Sequence, residues 1–369
     1  MVFILVDDMG YGDIGPFRVT DIKTPHLDRL ACEGVKLTDS YAAGSVCSPT
    51  RVALPTGRYQ HRVGIEHADI QIGSDKALST SEISIAKMLK NNGCATGING
   101  KWHVAGTVEF GPNAHGFDQF FGFLGPNVDF YTHQQHFPMK GVPDLWENTQ
   151  PVKTQGYLPD LITEHSVTFI KNQASKPFFL FISYNAPHWP FQPPDQSGAA
   201  EPEHRHLATR QDYNPMVERV DDGIGEILQI LDENKLAENT LVIFTSDNGG
   251  ERLSRNAPFF HYKTTLWEGG IRVPSLIRWP KQIPAGITSQ QANITMDMTA
   301  TILAVTGTEP PDGRLLDGIN ILPIIKGEKP IQERTFFWRQ PILEFENCTP
   351  TYRTGKFREV RIEPLCFFS

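Results

Sequence analysis

Seven residues able to bind a cation or move a proton stand directly after short apolar runs. Val2–Val6 leads into Asp7 and Asp8, and Ala95–Ile98 leads through Asn99 and Gly100 into Lys101, Trp102 and His103. Phe178–Tyr184 leads into Asn185, Ala186, Pro187 and His188, and Leu241–Ser246 into Asp247, Asn248, Gly249 and Gly250. The three carboxylates and one carboxamide are an all-oxygen set, which suits a hard divalent cation such as Ca²⁺ or Mg²⁺. Converging carboxylates raise one another's pKa and call for a cation between them. Plainer readings exist for each run. Asp-Asp also serves as a turn or helix cap, and Asp-Asn-Gly-Gly as a turn. His188 has a packing role open to it beside Pro187 and Pro190, and Lys101 a solvated one. Repetition of the same placement outweighs them.

A second centre is Cys47-Ser48-Pro49-Thr50-Arg51. Ser48 suits an N-cap and Pro49 the first helical position, which puts Cys47 at a helix N-terminus. Anions are favoured there and a thiol's pKa falls. Arg51, one turn on, can return its guanidinium to the same place. A capped helix with an incidental cysteine fits the same spacing.

Elements able to position these residues are visible around them. Apolar runs at Val2–Val6, Pro177–Ser183, Leu241–Thr245 and Val273–Arg278, with weaker ones at Val35–Leu37 and Ala95–Ile98, read as strands. Helical spacing lies between them at His26–Cys32, Ser81–Asn91, Asp160–Asn172, Met216–Asn234 and Met296–Val305. The alternation predicts an α/β fold, a large, mostly parallel sheet flanked by helices. Ligands of such sheets bind at the carboxyl ends of the strands, which is where the polar residues fall. Residues 106–156 have little periodicity and read as long functional loops. After Gly327 the character changes, and Phe336–Trp338 and Val360–Ile362 read as strands of an appended unit too small to fold alone.

Composition agrees with a globular protein. The 369 residues are 39% hydrophobic with 23 Phe and 6 Trp, enough apolar surface to build a core without staples. A net charge of −8 without a basic tract disfavours nucleic acid as a partner. Five Cys without paired spacing are no disulfide framework, and no apolar run is long enough to span a membrane.

Cys47-Ser48-Pro49-Thr50-Arg51, followed by Leu54 and Thr56-Gly57-Arg58-Tyr59, resembles the signature of type I sulfatases. The opening Phe3–Asp13, Gly100-Lys101-Trp102-His103, Ala186-Pro187-His188, Ser246–Gly250 and Lys263–Pro274 match the same family in order. The resemblance implies an alkaline-phosphatase-like fold for residues 1–327, with 328–369 a short, incomplete C-terminal subdomain. It implies oxidation of Cys47 to formylglycine by a formylglycine-generating or anaerobic sulfatase-maturating enzyme. It also implies one Ca²⁺ held by Asp7, Asp8, the modified Cys47, Asp247 and Asn248. Arg51, Lys101 and Lys263 would then neutralise sulfate oxygens. His188 and Lys263 would serve the leaving alcohol, and His103 the release of sulfate. Phosphonate and phosphate monoester hydrolases share the metal site. A phosphate monoester carries more charge and calls for further cations or a second metal, and no His-rich second set is present. A non-catalytic homologue is the other alternative, against which the intact reactive residues stand.

Departures accompany the match. Pro55 replaces an aliphatic residue and is expected to end its helix early. His261-Tyr262 stand before Lys263 where small residues are usual. Arg339–Ser369 does not match the family's C-terminal motif. With the abrupt start at Val2, this reads as a chain shortened at both ends; the resemblance implies a periplasmic or secreted enzyme, although no signal peptide precedes the first strand. Leu145–Asn148 and Tyr184–Pro190 look like those of bacterial sulfatases acting on sulfated sugars, with Trp102, Trp146 and Trp189 as stacking candidates for a glycan.

Overall fold

The computed structural model describes residues 1–136, 140–201, 204–340, 351–356 and 359–363, the last two as strand backbone. In chain order the strands are β1 Val2–Val6, β2 Val35–Leu37, β3 Ser40–Tyr41, β4 Ala95–Lys101, β5 Gln119–Phe123, β6 Trp146–Glu147, β7 Gln150–Pro151, β8 Phe178–Ser183, β9 Val242–Ser246, β10 Ser275–Arg278, β11 Ile287–Ser289, β12 Asn293–Ile294, β13 Thr335–Gln340, β14 Thr351–Lys356 and β15 Glu359–Glu363. Ten of them form one sheet in the order β11-β2-β10-β9-β1-β8-β4-β5-β6-β7. Its centre, β9-β1-β8-β4-β5, is parallel throughout, and β10 runs antiparallel to β9.

Register explains how residues far apart in sequence meet. Val6 pairs with Ser246, and Leu5 and Gly100 both pair with Ser183, so β1, β4, β8 and β9 finish at one level. Asp7, Lys101, Tyr184 and Asp247 therefore emerge together. Gly100 has φ +114°, and a Cβ there would lie 1.9 Å from the Ser183 carbonyl oxygen, so only glycine permits this approach of β4 to β8.

Alternation along β1 divides the core. Val2, Ile4 and Val6 face the helices Leu158–Gln173 and Arg210–Glu233, while Phe3 and Leu5 face the side holding Ile85, Leu89, Ile302 and Leu303. All five β1 side chains are buried, as a strand covered on both faces requires.

Several elements differ from their sequence-based expectation. The helix Cys47–Thr56 is capped by Val46 rather than Ser48, whose hydroxyl instead donates to the His103 carbonyl (2.8 Å). Pro55 lies inside this helix, which ends at Thr56 with a left-handed Gly57 behind it; the missing N–H forfeits one bond, to the Arg51 carbonyl, and the helix stops within a residue of it. The helix expected from Met216 begins at Arg210 and carries Pro215 within it, held by a capping box between Thr209 and Asp212. The helix expected from Ser81 begins at Ile85, after Ser84, which caps the Lys87 amide (3.1 Å).

Residues 106–156 are not loops alone, since β5, β6 and β7 extend the sheet at this edge. Gln119–Phe123 is short and aromatic, and so escapes a search for aliphatic runs. Buried Asp144 ties the region together. Its carboxylate accepts from the amides of Leu124 and Gly125, from Gln135 Nε2 and from Trp146 Nε1.

At the C-terminal side, β13, β14 and β15 form a separate antiparallel sheet. Phe336 and Trp338 of β13 pack on Tyr41, and Trp338 Nε1 donates to the Ala42 carbonyl (2.8 Å).

Candidate active site

Four strand ends and one helix N-terminus build the site. Cys47 is 2% exposed, and its Sγ lies 3.5 Å from Asp7 Oδ1. Around it each carboxylate meets a cation from another segment. Lys101 Nζ is 2.6 Å from Asp7 Oδ2, Lys263 Nζ is 2.7 Å from Asp8 Oδ2, and Arg51 Nε is 2.9 Å from Asp247 Oδ2. Three acids and three bases thus balance formally, away from water. The sequence argument required a cation between the carboxylates; the structure shows the chain's own cations already interleaved with them.

Arg51 is oriented from several sides. Its Nη1 donates to the Ser183 hydroxyl (2.7 Å) and the Lys101 carbonyl (3.1 Å), and Ser183 donates to that same carbonyl (2.7 Å). Ser183 escaped the sequence analysis, because one serine closing an apolar strand gives no signal of its own. Thr50 Oγ1 accepts from the Gly44 amide (3.0 Å) and so fixes the turn before Cys47.

The residues expected to bind metal converge. Ligand atoms of Asp7, Asp8, Cys47 and His188 lie within 4.8 Å of one another. Asp247 joins them through the Asp8 amide, which donates to its Oδ1 (3.2 Å), and Asn248 Nδ2 donates to Asp8 Oδ1 (2.7 Å). Sequence had given His188 to the leaving group; its Nε2 also lies 3.6 Å from Asp8 Oδ2. His188 Nδ1 faces the Trp189 carbonyl (2.7 Å), which can only accept, so Nδ1 carries the proton and Nε2 of the neutral ring is a lone pair. The buried Asn248 Oδ1 has no partner and is an oxygen donor left free beside the carboxylates. These oxygens fit a hard cation, and the His188 nitrogen, a ligand of the softer kind, stands outside that set.

Electrostatics follow from burial. The Cys47 thiol is pushed far up by burial, against Lys101 and Lys263 and with Asp7 and Asp247 adding to the rise. This reverses the lowered thiol expected from the helix N-terminus, because desolvation outweighs the helix dipole. Asp247 rises to about 6 through burial and the nearby Asp7. His188 and His103 are both held well below the usual range by burial, then by Lys263 and Lys101 respectively. For Lys263, burial works against the charge, but Asp8, Cys47 and Asp7 together outweigh it, and the ammonium is held above its ordinary range.

His103 has φ +53°, is 1% exposed and has no partner at either ring nitrogen. Asn185 is 3% exposed with both amide atoms unpartnered; it stood in the sequence motif without a role. Trp102 is no stacking surface. It is 2% exposed, packs on His115 and Phe117, and donates to the Phe110 carbonyl (3.2 Å). Trp189 is likewise buried, against His188 and His136, and the half-buried Trp146 is bound to Asp144.

The family model described as Sulfatase matches residues 1–308. The chain belongs to the sulfatase family. It is an enzyme of that family, a hydrolase of sulfate esters. Human N-acetylgalactosamine-6-sulfatase is 35% identical over 92% of this chain and 68% of its own length. Mouse arylsulfatase G is 31% identical over 91% of this chain and 70% of its own. The crystal structure of Ps i-CgsB in complex with k-i-k-neocarrahexaose superposes with a TM-score of 0.85 at 33% identity, covering 96% of this chain and 81% of that one. This sulfatase thus has the alkaline-phosphatase-like fold expected of it. Among its described residues, no helix is long and apolar enough to cross a membrane.

Proposed function

We propose that this sulfatase removes sulfate from a sulfated carbohydrate, with Cys47 oxidised to formylglycine and one Ca²⁺ at the site. The observation that carries the reading is the ring of buried acid–base pairs around Cys47 Sγ: Lys101 with Asp7, Lys263 with Asp8 and Arg51 with Asp247. The carbohydrate part rests on the relatives named above.

Asp7, Asp8, Asp247 and Asn248, with the modified side chain at position 47, would hold the cation. When bound, it supplies Lewis-acid stabilisation of a sulfate oxygen and of the attacking hydroxyl. Oxidation of Cys47 replaces a buried thiol by an aldehyde whose hydrate offers a hydroxyl nucleophile. The remaining work falls to this chain's own groups. Arg51, Lys101 and Lys263 present fixed positive charge to the sulfate oxygens in a dry site, where such charges act strongly. Lys263, its ammonium against Asp8, gives the departing alcohol its hydrogen bond and proton, and the neutral His188 beside Asp8 accepts through Nε2 from the alcohol once it is protonated. His103, with neither nitrogen engaged, accepts the proton that lets sulfate leave.

The test compares an aryl sulfate with the matching aryl phosphate in Ca²⁺, using protein co-expressed with a formylglycine-generating enzyme. Mass spectrometry of the Cys47 peptide first establishes conversion. Preference for sulfate, with loss of turnover and retained fold in Cys47→Ala, is expected. Preference for phosphate, or wild-type rates in Cys47→Ala, would overturn the reading.

A further inference from the structure

With Trp102 and Trp189 buried, the large exposed aromatics lie elsewhere. Among the described residues seven large hydrophobic side chains are strongly exposed, and three fall within one loop: Phe260 (66%), Tyr262 (48%) and Trp267 (42%). Lys263, whose ammonium reaches Asp8 in the site, stands in the same loop. The rings form a continuous row. Trp267 meets Phe260 edge-on at 5.3 Å, Phe260 meets His261 at 5.2 Å, and His261 lies against Tyr262 at 4.6 Å.

The row is held in fixed relation to the site. The Lys263 amide donates to the carbonyl of Gly250, just past Asn248, and the Thr264 amide donates to the carbonyl of Ser45, just before Cys47 (3.1 and 2.8 Å). The Gly269 amide closes the loop on the Phe260 carbonyl (2.9 Å), and Asn256 Nδ2 reaches that of His261 (3.3 Å). His261 has φ +71°, a conformation that glycine adopts freely and other residues only under strain. Its ring joins Phe260 to Tyr262.

We propose that Phe260, Tyr262 and Trp267 form a stacking platform for the sugar ring next to the sulfated one, so that the enzyme selects oligosaccharides over single sugars. This rests on the carbohydrate reading above. Continuity with the site names the occupant. The sulfate is drawn to Lys263 and its neighbours, and the exposed rings flank Lys263 within four residues on either side of it, where the rest of the substrate can meet them. A pyranose offers an apolar C–H face to such rings, with hydroxyls at its edge for water. The platform adds affinity without touching the reacting atoms, so its effect falls on KM.

The test uses full-length, formylglycine-converted protein. Wild type, Phe260→Ala, Trp267→Ala and the double variant are assayed on an aryl sulfate, a sulfated monosaccharide, and chondroitin 6-sulfate and carrageenan oligosaccharides of increasing length. Wild-type kcat/KM is expected to rise with oligosaccharide length. The double variant should lose that gain by roughly tenfold through KM, keep aryl sulfate and monosaccharide turnover, and be rescued in part by Trp267→Tyr. Should Trp267→Ala misfold, Phe260→Ala reads out the same loss from the most exposed ring. Variants that keep the wild-type length dependence overturn the platform and leave the carbohydrate reading standing. Aryl sulfate turnover by wild type without action on any sugar overturns both. A drop in mass on light scattering, with length dependence unchanged, assigns the patch to contact between two copies of the chain and overturns the platform.

Discussion

Lys101 Nζ lies 2.6 Å from Asp7 Oδ2, with both side chains essentially out of solvent. Removing one partner of such a pair strands the other charge. Lys101→Met is expected to destabilise the calcium-free protein by about 3–5 kcal/mol. Saturating Ca²⁺, by taking over the neutralisation of Asp7, should restore part of that loss. Urea unfolding with and without the ion tests this; an equal loss in both conditions would show that Asp7 does not face the cation.

Asn248 Oδ1 has no partner, while its Nδ2 is committed to Asp8 and to the Gly249 carbonyl. Asn248→Ala should weaken calcium binding roughly 10–100-fold, the loss seen even when a supporting group is removed. Calorimetric titration measures it directly. Chelation of wild type should lower Tm, since an ion at a hundred times its Kd adds about 2.7 kcal/mol. Unchanged affinity in the variant would remove Asn248 from the ligand set.

Asp144 holds four donors in the region between β5 and β7. Asp144→Ala leaves them buried and unpaired, a loss of at least about 3 kcal/mol. Limited proteolysis should then cut within residues 125–144 before the central sheet opens. Cleavage elsewhere first would show that this edge does not depend on Asp144.

Asp221 accepts from the His26 and Leu27 amides at the start of the helix Pro25–Cys32 and, raised by burial, titrates at about 6. A carboxyl whose folded pKa is raised favours the folded state most below its unfolded pKa, and that advantage fades as pH rises through the folded value. The stability of wild type relative to Asp221→Asn should therefore fall by about 2–3 kcal/mol between pH 4 and pH 7. Paired denaturation curves across that range measure the slope; a flat difference would mean the carboxyl titrates normally.

What sequence revealed and what it hid follow a physical division. Asp7, Lys101, His188 and Asp247 were legible because a parallel strand buried on both faces is a short apolar run, and its polar successor marks the end. Ser183 and Asp144 were not, because their importance lies in partners more than a helical turn away. Pro215 misdirected the helix boundary, since propensity speaks against proline there while the Thr209 cap decides for it. The orientation of β10 depends on its neighbour's hydrogen bonds, which no local pattern encodes. Trp102 shows the converse: an aromatic residue beside a candidate site motif has two uses, and burial alone tells them apart.

The concealment of Cys47 bears on when it can be altered. The walls that hide its thiol include Asp247 and Lys263, made about 200 residues after it, a delay of roughly 10–40 seconds at common rates of synthesis. Until those segments arrive the cysteine stays open to another protein, and afterwards it is sealed. The oxidation of Cys47 proposed above would accordingly be an event of the nascent chain, and a chain that folds too soon would keep its thiol.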